Sequence, residues 1–562
     1  LAVLDLSEKA AQPMTAFGFT LVYNGEIYNY IELRGELERQ GFDFTTQSDT
    51  EVILAAYRFW GEACVQKFNG MWAFVLYDPS RFCLFASRDR FGEKPLYYAQ
   101  IGDYFALASE IKQFTTLPQW RAELNTETAT TFFRTGKHDY SRETFFNGVF
   151  QLRGGENMVY HLKTHQFQIA PYYVLADKIQ NRNQPVKPTA AQDSFLALLT
   201  DAVRIRMRSD VAVGTSLSGG LDSGSIAVLM ADYLAKRQVS SLQKSITATY
   251  PNHVFDEARY AKAIGEKAKL SQYFIQPNAE SFLSDMNRLV WHQDEPLSTD
   301  SAFAQYSVFR EARKQNLTVM LDGQGGDEIL AGYASFYKPF FYKLLKTNLV
   351  QAFTEMAFYL KQNGAADLTA YLKRKMTPQY ADYFLGFGDR AEVSDTFAEA
   401  NPSHTPLQNL SHALITRDFL PMLLHFADRN AMAFSVESRL PFLDYRLVEF
   451  CLNLPDAYKI YRGDRKSILR QTMRPFLPEQ VWQRRDKIGF FNPGEEWMQA
   501  DPKTWYAQML PIVQKWQGVF SPNVLSEFDK FLHRKPISIS ESAFWKILFF
   551  GKWAEVFKIE PV

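Results

Sequence analysis

The chain has 562 residues, and its 62 Lys and Arg balance 62 Asp and Glu to a net charge of zero. Neither a nucleic-acid field nor a long like-charge run is written into it, and the length predicts at least two separately cored domains with room for two sites. Cys64, Cys83 and Cys451 lie far apart with no C-x-x-C or Cys/His cluster, which excludes a zinc or disulfide framework and fits a reducing cytoplasm. No apolar run approaches the roughly 20 residues of a membrane span, and the start lacks the layout of a signal peptide.

In chain order, the alternation Leu1, Val3, Leu4, Leu6 resembles a strand inside a sheet, so the numbering is expected to begin within a domain. Strand-like runs at 20–23, 72–77 and 82–87 precede the turn pairs Asn24-Gly25, Asp78-Pro79 and Arg88-Asp89, with helix signals near 30–40 and 50–60. Residues 1–173 therefore predict an α+β domain built on antiparallel sheet. The stretch 174–188, polar from Asp177 and carrying two prolines, predicts a linker.

From 189 the pattern alternates: helix 190–207, strand 211–217, helix 223–236, strand 245–250, helix 256–269, strand 271–275, helix 301–315, strand 317–321. Such trading predicts an α/β domain over 189–562, a doubly wound parallel sheet whose ligands bind at strand C-terminal ends. Apolar, aromatic-rich segments at 336–345, 352–360 and 410–433 predict helical C-terminal additions.

The sharpest motif is Ser218-Gly219-Gly220-Leu221-Asp222-Ser223, between a predicted strand and a predicted helix. Glycines there let backbone N–H groups and the helix N-terminus converge on an anion, and the serines add donors. A plain strand-to-helix turn is the bland alternative. The string is neither a Walker loop, having no lysine, nor a dinucleotide G-x-G-x-x-G. About 100 residues on, Asp322-Gly323-Gln324-Gly325-Gly326-Asp327-Glu328 follows another strand, and its carboxylates suit a hard cation beside phosphates, or simply a polar loop. Charges at 428–430, 437–444 and 466–470 read locally as solvated faces on or near helices.

The first string resembles the pyrophosphate-binding loop of the ATP-pyrophosphatase superfamily, and the second and third resemble the ATP-site motifs of asparagine synthetases. That resemblance implies an adenylating ligase: aspartate attacks ATP, and ammonia displaces AMP from β-aspartyl-AMP. It implies nucleotide contacts at Leu217, Ser218, Gly219, Gly220, Asp222, Ser223, Ala248, Asp322 and Gly323, Mg²⁺ at Asp222 and Asp327, and Lys466 as the cation on phosphoryl oxygens. Segment 484–490 also resembles the family, without an assignable role.

Residues 1–173 resemble a class II glutamine amidotransferase domain of the N-terminal-nucleophile type, through the strings at 23–29, 48–51, 69–74 and 88–97. By this resemblance Asn24 and Gly25 form an oxyanion hole, and Glu26 and Asp49 hold glutamine, with Asp49 on its α-ammonium. A hairpin turn at Asn24-Gly25 is compatible with that role. The family nucleophile is an N-terminal cysteine that none of the three cysteines matches, so about 50 preceding residues are expected to be missing and this chain is not expected to hydrolyse glutamine.

One departure is Gln324, where many asparagine synthetases carry glutamate; an amide takes no proton, which puts the acyl acceptor in question. The alternatives are a tailoring amidotransferase for another carboxylate, a cyclising relative of the β-lactam synthetase kind, which NGEIYN and SDTE disfavour, and a non-catalytic scaffold, which Asp222, Asp327 and Lys466 disfavour. Expected partners are aspartate, glutamine or ammonia and ATP, with a second copy of the chain as a candidate and neither nucleic acid nor membrane.

Overall fold

The computed structural model describes residues 2–180, 187–238, 243–364, 384–385, 401–486, 489–535 and 539–561. Leu1, the centre of the expected linker (181–186), and Lys487 and Ile488 of the 484–490 segment lie outside them.

The first domain contains β1 (Met14–Ala16), β2 (Phe19–Ile27), β3 (Gly70–Asp78), β4 (Cys83–Arg88), β5 (Tyr97–Ile101), β6 (Tyr104–Ala108), β7 (Val149–Gln151), β8 (Glu156–His161) and β9 (Gln166–Pro171). They form a six-stranded sheet, order β1-β2-β3-β4-β8-β9, and a three-stranded sheet, β6-β5-β7. The period of two along β3 divides its side chains between layers. Trp72, Phe74 and Leu76 pack against helices Tyr30–Glu38 and Asp49–Trp60, whereas Ala73 and Val75 meet Leu96 and Tyr98 of the smaller sheet side.

Asn24-Gly25 is not a turn. Strand β2 runs through it, pairing Asn24 with Ala73 and Gly25 with Trp72. Gly25 has φ 145°, and a Cβ there would stand 2.1 Å from the Met71 carbonyl oxygen. A glycine inside a strand here marks close backbone approach, a meaning that the dipeptide alone does not separate from a hairpin.

The second domain is built on β10 (Val213–Ser216), β11 (Lys244–Ala248), β12 (Ser271–Ile275), β13 (Val319–Leu321) and β14 (Glu437–Arg439), in the order β12-β11-β10-β13-β14 with each neighbouring pair parallel. Helices Leu221–Lys236, Ala258–Ala268, Ala279–Gln293 and Ser301–Lys314 cross between strands. Strand order reverses between β10 and β13, which opens a crevice at their C-terminal ends. The two glycine-rich strings follow those two strands. Glu437 to Arg439, read locally as charges near helices, is instead the edge strand β14, buried throughout. Three charged or hydroxylated residues carry no strand pattern; tertiary burial alone puts them there.

The domains share a core. Trp553, on the last helix (Glu541–Val556), packs against Phe145 and Phe146 of the first domain, with ring centroids 5.5 and 5.1 Å away, and donates to the Asp294 carbonyl at 2.8 Å. Buried ion pairs cross the same interface, Lys94–Asp428 at 3.1 Å and Arg439–Glu26 at 3.6 Å. Among the described residues no helix is long and apolar enough to cross a membrane. Because Trp553 is fully buried between domains, Trp553→Ala is expected to cost about 3–5 kcal/mol and to lower the melting temperature of both domains together, read by calorimetry.

Candidate functional site

The first candidate cleft begins at the loop after β10. Gly219 has φ 76°, and a Cβ there would meet Tyr260 Cβ at 2.7 Å and the Ala261 nitrogen at 2.8 Å, so the loop lies flat on the helix Ala258–Ala268. Ser218 Oγ and Ser223 Oγ sit 3.0 Å apart, and the Gly220 N–H donates to Ser218 Oγ at 3.3 Å. The loop is thereby held in shape by its own serines, at the N-terminus of the helix Leu221–Lys236, where the helix dipole favours an anion.

From the opposite side comes Lys466, in left-handed conformation (φ 55°) between the short hairpin Ile460–Tyr461/Asp464–Arg465 and the helix Ser467–Met473. Its Nζ lies 2.5 Å from Asp222 Oδ2 and 2.7 Å from Asp327 Oδ1. A side chain at 332 would have to displace this contact: a Cβ on Gly332 would fall 1.9 Å from Asp327 Oδ1 and 2.3 Å from Lys466 Cε. Gly323 and Gly326 play the same part toward Asp222, where added Cβ atoms would stand 3.1 Å from its Cβ and 3.0 Å from its Cγ. Asp222 Oδ1 is buried with no hydrogen-bond partner. An anionic oxygen left so is costly unless a cation or donor completes it.

One cavity of about 330 Å³ collects these groups. Leu217, Ser218, Gly220, Asp222, Ser223 and Ala248 line one part of it; Asp322, Gly323, Gln324, Asp327 and Lys466 line another. Gly219 is not on the lining; its place is against Tyr260. The residues 428–430, grouped with Lys466 by sequence, go elsewhere: Asp428 to Lys94, Arg429 to the Ser109 carbonyl, Asn430 to Gln293 and Gln305. Sequence reasoning gave 484–490 no role, yet Arg484 closes the cleft. Its guanidinium is 2.6 Å from Glu257, stacks 4.3 Å above the Tyr260 ring and so braces the face on which Gly219 rests. Arg484 also pairs locally with Asp486 at 2.7 Å, but no local pattern marks its place in the cleft, because Glu257 and Tyr260 lie more than 200 residues away in the chain.

The other candidate site lies where β2 meets the helix Asp49–Trp60. Asp49 Oδ2 accepts from the Ile27 N–H and the Tyr23 hydroxyl, both at 2.8 Å, and Asn24 Nδ2 donates to Ser109 Oγ at 3.3 Å. Glu26 stands beside Arg439 Nη2. Burial pushes the Asp49 carboxyl up to about 6 against those two hydrogen bonds, with Glu437 adding to the rise. Glu26 is also raised, first by burial and then by Asp49, while Arg439 opposes. Two acids held this way are poised to take up a cationic group.

Comparison with known proteins fixes the class first: residues 1–173 match a glutamine amidotransferase domain and residues 194–535 match the asparagine synthase family, which makes the chain a glutamine-dependent carbon–nitrogen ligase. Asparagine synthetase [glutamine-hydrolyzing] 1 of Bacillus subtilis is 29% identical across 99% of this chain and 88% of its own length. A putative asparagine synthetase of Mycobacterium bovis is 31% identical over the same shares, 99% and 88%. Amidase chyE of Penicillium rubens is 26% identical over 88% of this chain and 80% of its own. The chain belongs to the asparagine synthase family.

The raised Asp49 carboxyl has a stability consequence. Folding favours its protonated form, so its contribution is fully present below the unfolded value of about 4 and is lost as pH rises through about 6. Asp49→Asn is expected to gain on the order of 1–3 kcal/mol at pH 8, with the gain vanishing below about pH 4, measured as melting temperature against pH.

Proposed function

We propose that this enzyme amidates the side-chain carboxylate of aspartate through β-aspartyl-AMP, with ammonia that the amidotransferase domain of the full-length protein draws from glutamine. The observation that carries this reading is the Lys466 ammonium held between Asp222 and Asp327, across from the glycine loop of β10. The loop N–H groups and the helix N-terminus would bind the β and γ phosphates. Lys466 would then stabilise charge growing on the phosphoryl oxygens as the substrate carboxylate attacks the α phosphorus and pyrophosphate leaves.

Mg²⁺ fits the same place. Asp222 and Asp327 offer hard oxygen donors, and the unpartnered Asp222 Oδ1 is a coordination position in want of a cation. Bound there, the ion would neutralise the triphosphate and favour departure of pyrophosphate. In the amidotransferase domain Asn24 and Gly25 would stabilise the amide oxyanion, while Glu26 and Asp49 would hold glutamine, Asp49 on its α-ammonium.

Gln324 lines the cleft as a neutral amide; it can orient an acyl oxygen or an incoming amine but can take no proton from ammonium. Together with the relative named an amidase, that favours a second reading: the same activation chemistry on a different carboxylate.

The test is to incubate the chain with Mg-ATP and aspartate, with ammonium and glutamine as parallel nitrogen sources, and to assay AMP, pyrophosphate and asparagine. Aspartate-dependent AMP and asparagine support the first reading; ATP-dependent chemistry that ignores aspartate moves the assignment to another carboxylate. Lys466→Ala is expected to lower pyrophosphate release at least about 100-fold with the fold intact by circular dichroism. Gly332→Ala, which drives a methyl into the Lys466–Asp327 contact, is expected to lower it roughly tenfold or more although no substrate-facing side chain is itself replaced.

A further inference from the structure

Away from both sites, the helices Tyr337–Thr347 and Leu349–Asn363 form a hairpin with an unusual outer face. Its inner residues, among them Phe340, Phe341, Leu344, Ala352 and Tyr359, make a small core. The outer positions of such helices ordinarily carry charge. Here they carry Tyr342 (55% exposed), Leu345 (44%), Leu349 (57%), Val350 (79%) and Phe353 (64%). Exposed large apolar side chains this close together mark a surface that meets something apolar.

Charge on the hairpin is equally one-sided. It holds Lys338, Lys343, Lys346 and Lys361, and its only carboxylate is Glu355. Glu355 is buried and accepts from the Arg462 and Gly463 N–H groups at 3.0 and 2.9 Å, so it presents nothing to the outer face. Lys343 is paired with Asp456 at 2.7 Å, and the Lys346 ammonium lies over the exposed Tyr342 ring at 4.1 Å. The outer face is thus apolar and cationic, which complements an anionic and apolar partner.

Charge beside exposed apolar residues favours an anionic bilayer as the occupant. Val350, the most exposed of these side chains, and Leu349 begin the second helix immediately after the turn at Asn348, whose side chain caps it by accepting from the Gln351 N–H at 3.0 Å. Apolar side chains at this turn stand beside the exposed Lys346. The headgroup–acyl boundary takes up exposed apolar side chains while flanking lysines reach phosphate.

We propose that this hairpin docks the enzyme peripherally on an anionic lipid surface, with Leu349, Val350 and Phe353 in the boundary layer and Lys346 on the headgroups. The overall charge balance, which predicts no membrane partner, averages away an asymmetry confined to these two helices. The hairpin follows the cleft residues Asp327 to Tyr333 directly through the turn Ala334–Phe336, so docking holds the cleft close to the membrane. The inference does not depend on which carboxylate is amidated.

The experiment is co-sedimentation of the full chain with vesicles of phosphatidylcholine, with and without phosphatidylglycerol, at low and high salt. The chain is expected to pellet with the phosphatidylglycerol vesicles and to be released by salt. The double substitution Val350→Glu/Phe353→Glu should reduce the bound fraction roughly tenfold or more and Lys346→Glu several-fold, with unchanged circular dichroism and unchanged ATP-dependent pyrophosphate release. Absence of pelleting with anionic vesicles, or equal pelleting of the double variant, overturns the proposal. So does self-association that the double variant abolishes without any vesicle binding, which makes the hairpin an interface between copies of the chain.

Discussion

Lys466 can approach both Asp222 and Asp327 only because residue 332 has no side chain; a single methyl there would occupy the space of the Asp327 carboxylate and the lysine stem at once. Three segments separated by more than 100 residues each meet at this point, and the parallel sheet makes the meeting possible. β10 and β13 lie side by side with their loops on one edge, and the hairpin before Lys466 brings the ammonium in from the other. The charges are buried together. Asp222 Oδ1 keeps no hydrogen-bond partner there, although Arg465, Arg470, Arg484 and Arg485 also line the cleft. A buried carboxylate oxygen left so favours the arrival of a cation or donor.

The same logic governs the contact between the domains. Arg439 is fully buried, and its side chain faces Glu437 at 2.8 Å and Glu26 at 3.6 Å. Its carbonyl oxygen accepts from the Asp322 N–H at 3.0 Å. One residue therefore borders the acid pair around Asp49 with its side chain and supports the cleft loop after β13 with its main chain. Nearby, His425 Nδ1 lies 3.1 Å from Asp139 across the interface, and His138 meets the same carboxylate at 2.7 Å. Buried polar clusters of this kind gain little stability over apolar packing but penalise any other relative placement, because a shift would strand a charge.

Much of this architecture was legible in the residues themselves. Alternation of strand and helix from 189 onward predicts the doubly wound sheet, and SGGLDS with DGQGGDE predicts the crevice, because glycines where a strand meets a helix have few other uses. What failed to show locally has one physical cause. Glu437 to Arg439 is a strand because β13 pairs with it, Asn24-Gly25 is straight because β3 lies against it, and Arg484 is part of the cleft because Glu257 and Tyr260 receive it. Each is decided by a partner far along the chain, and sequence windows see only neighbours. The helix Ala279–Gln293 was passed over although Asn278 and Ser281 form a capping box at its start; there the signal was present.

The helix bearing Trp553 is almost the last element of the chain, yet its aromatic rings complete a core begun by Phe132, Phe145 and Phe146. On the ribosome, the first domain emerges long before that helix does. Its phenylalanine face must wait, uncovered, through synthesis of the entire sheet that follows, an interval in which exposed aromatic surface invites chaperones or wrong partners. The core of the first domain is thus completed by a helix made after the second domain's sheet, which couples the burial of the two domains.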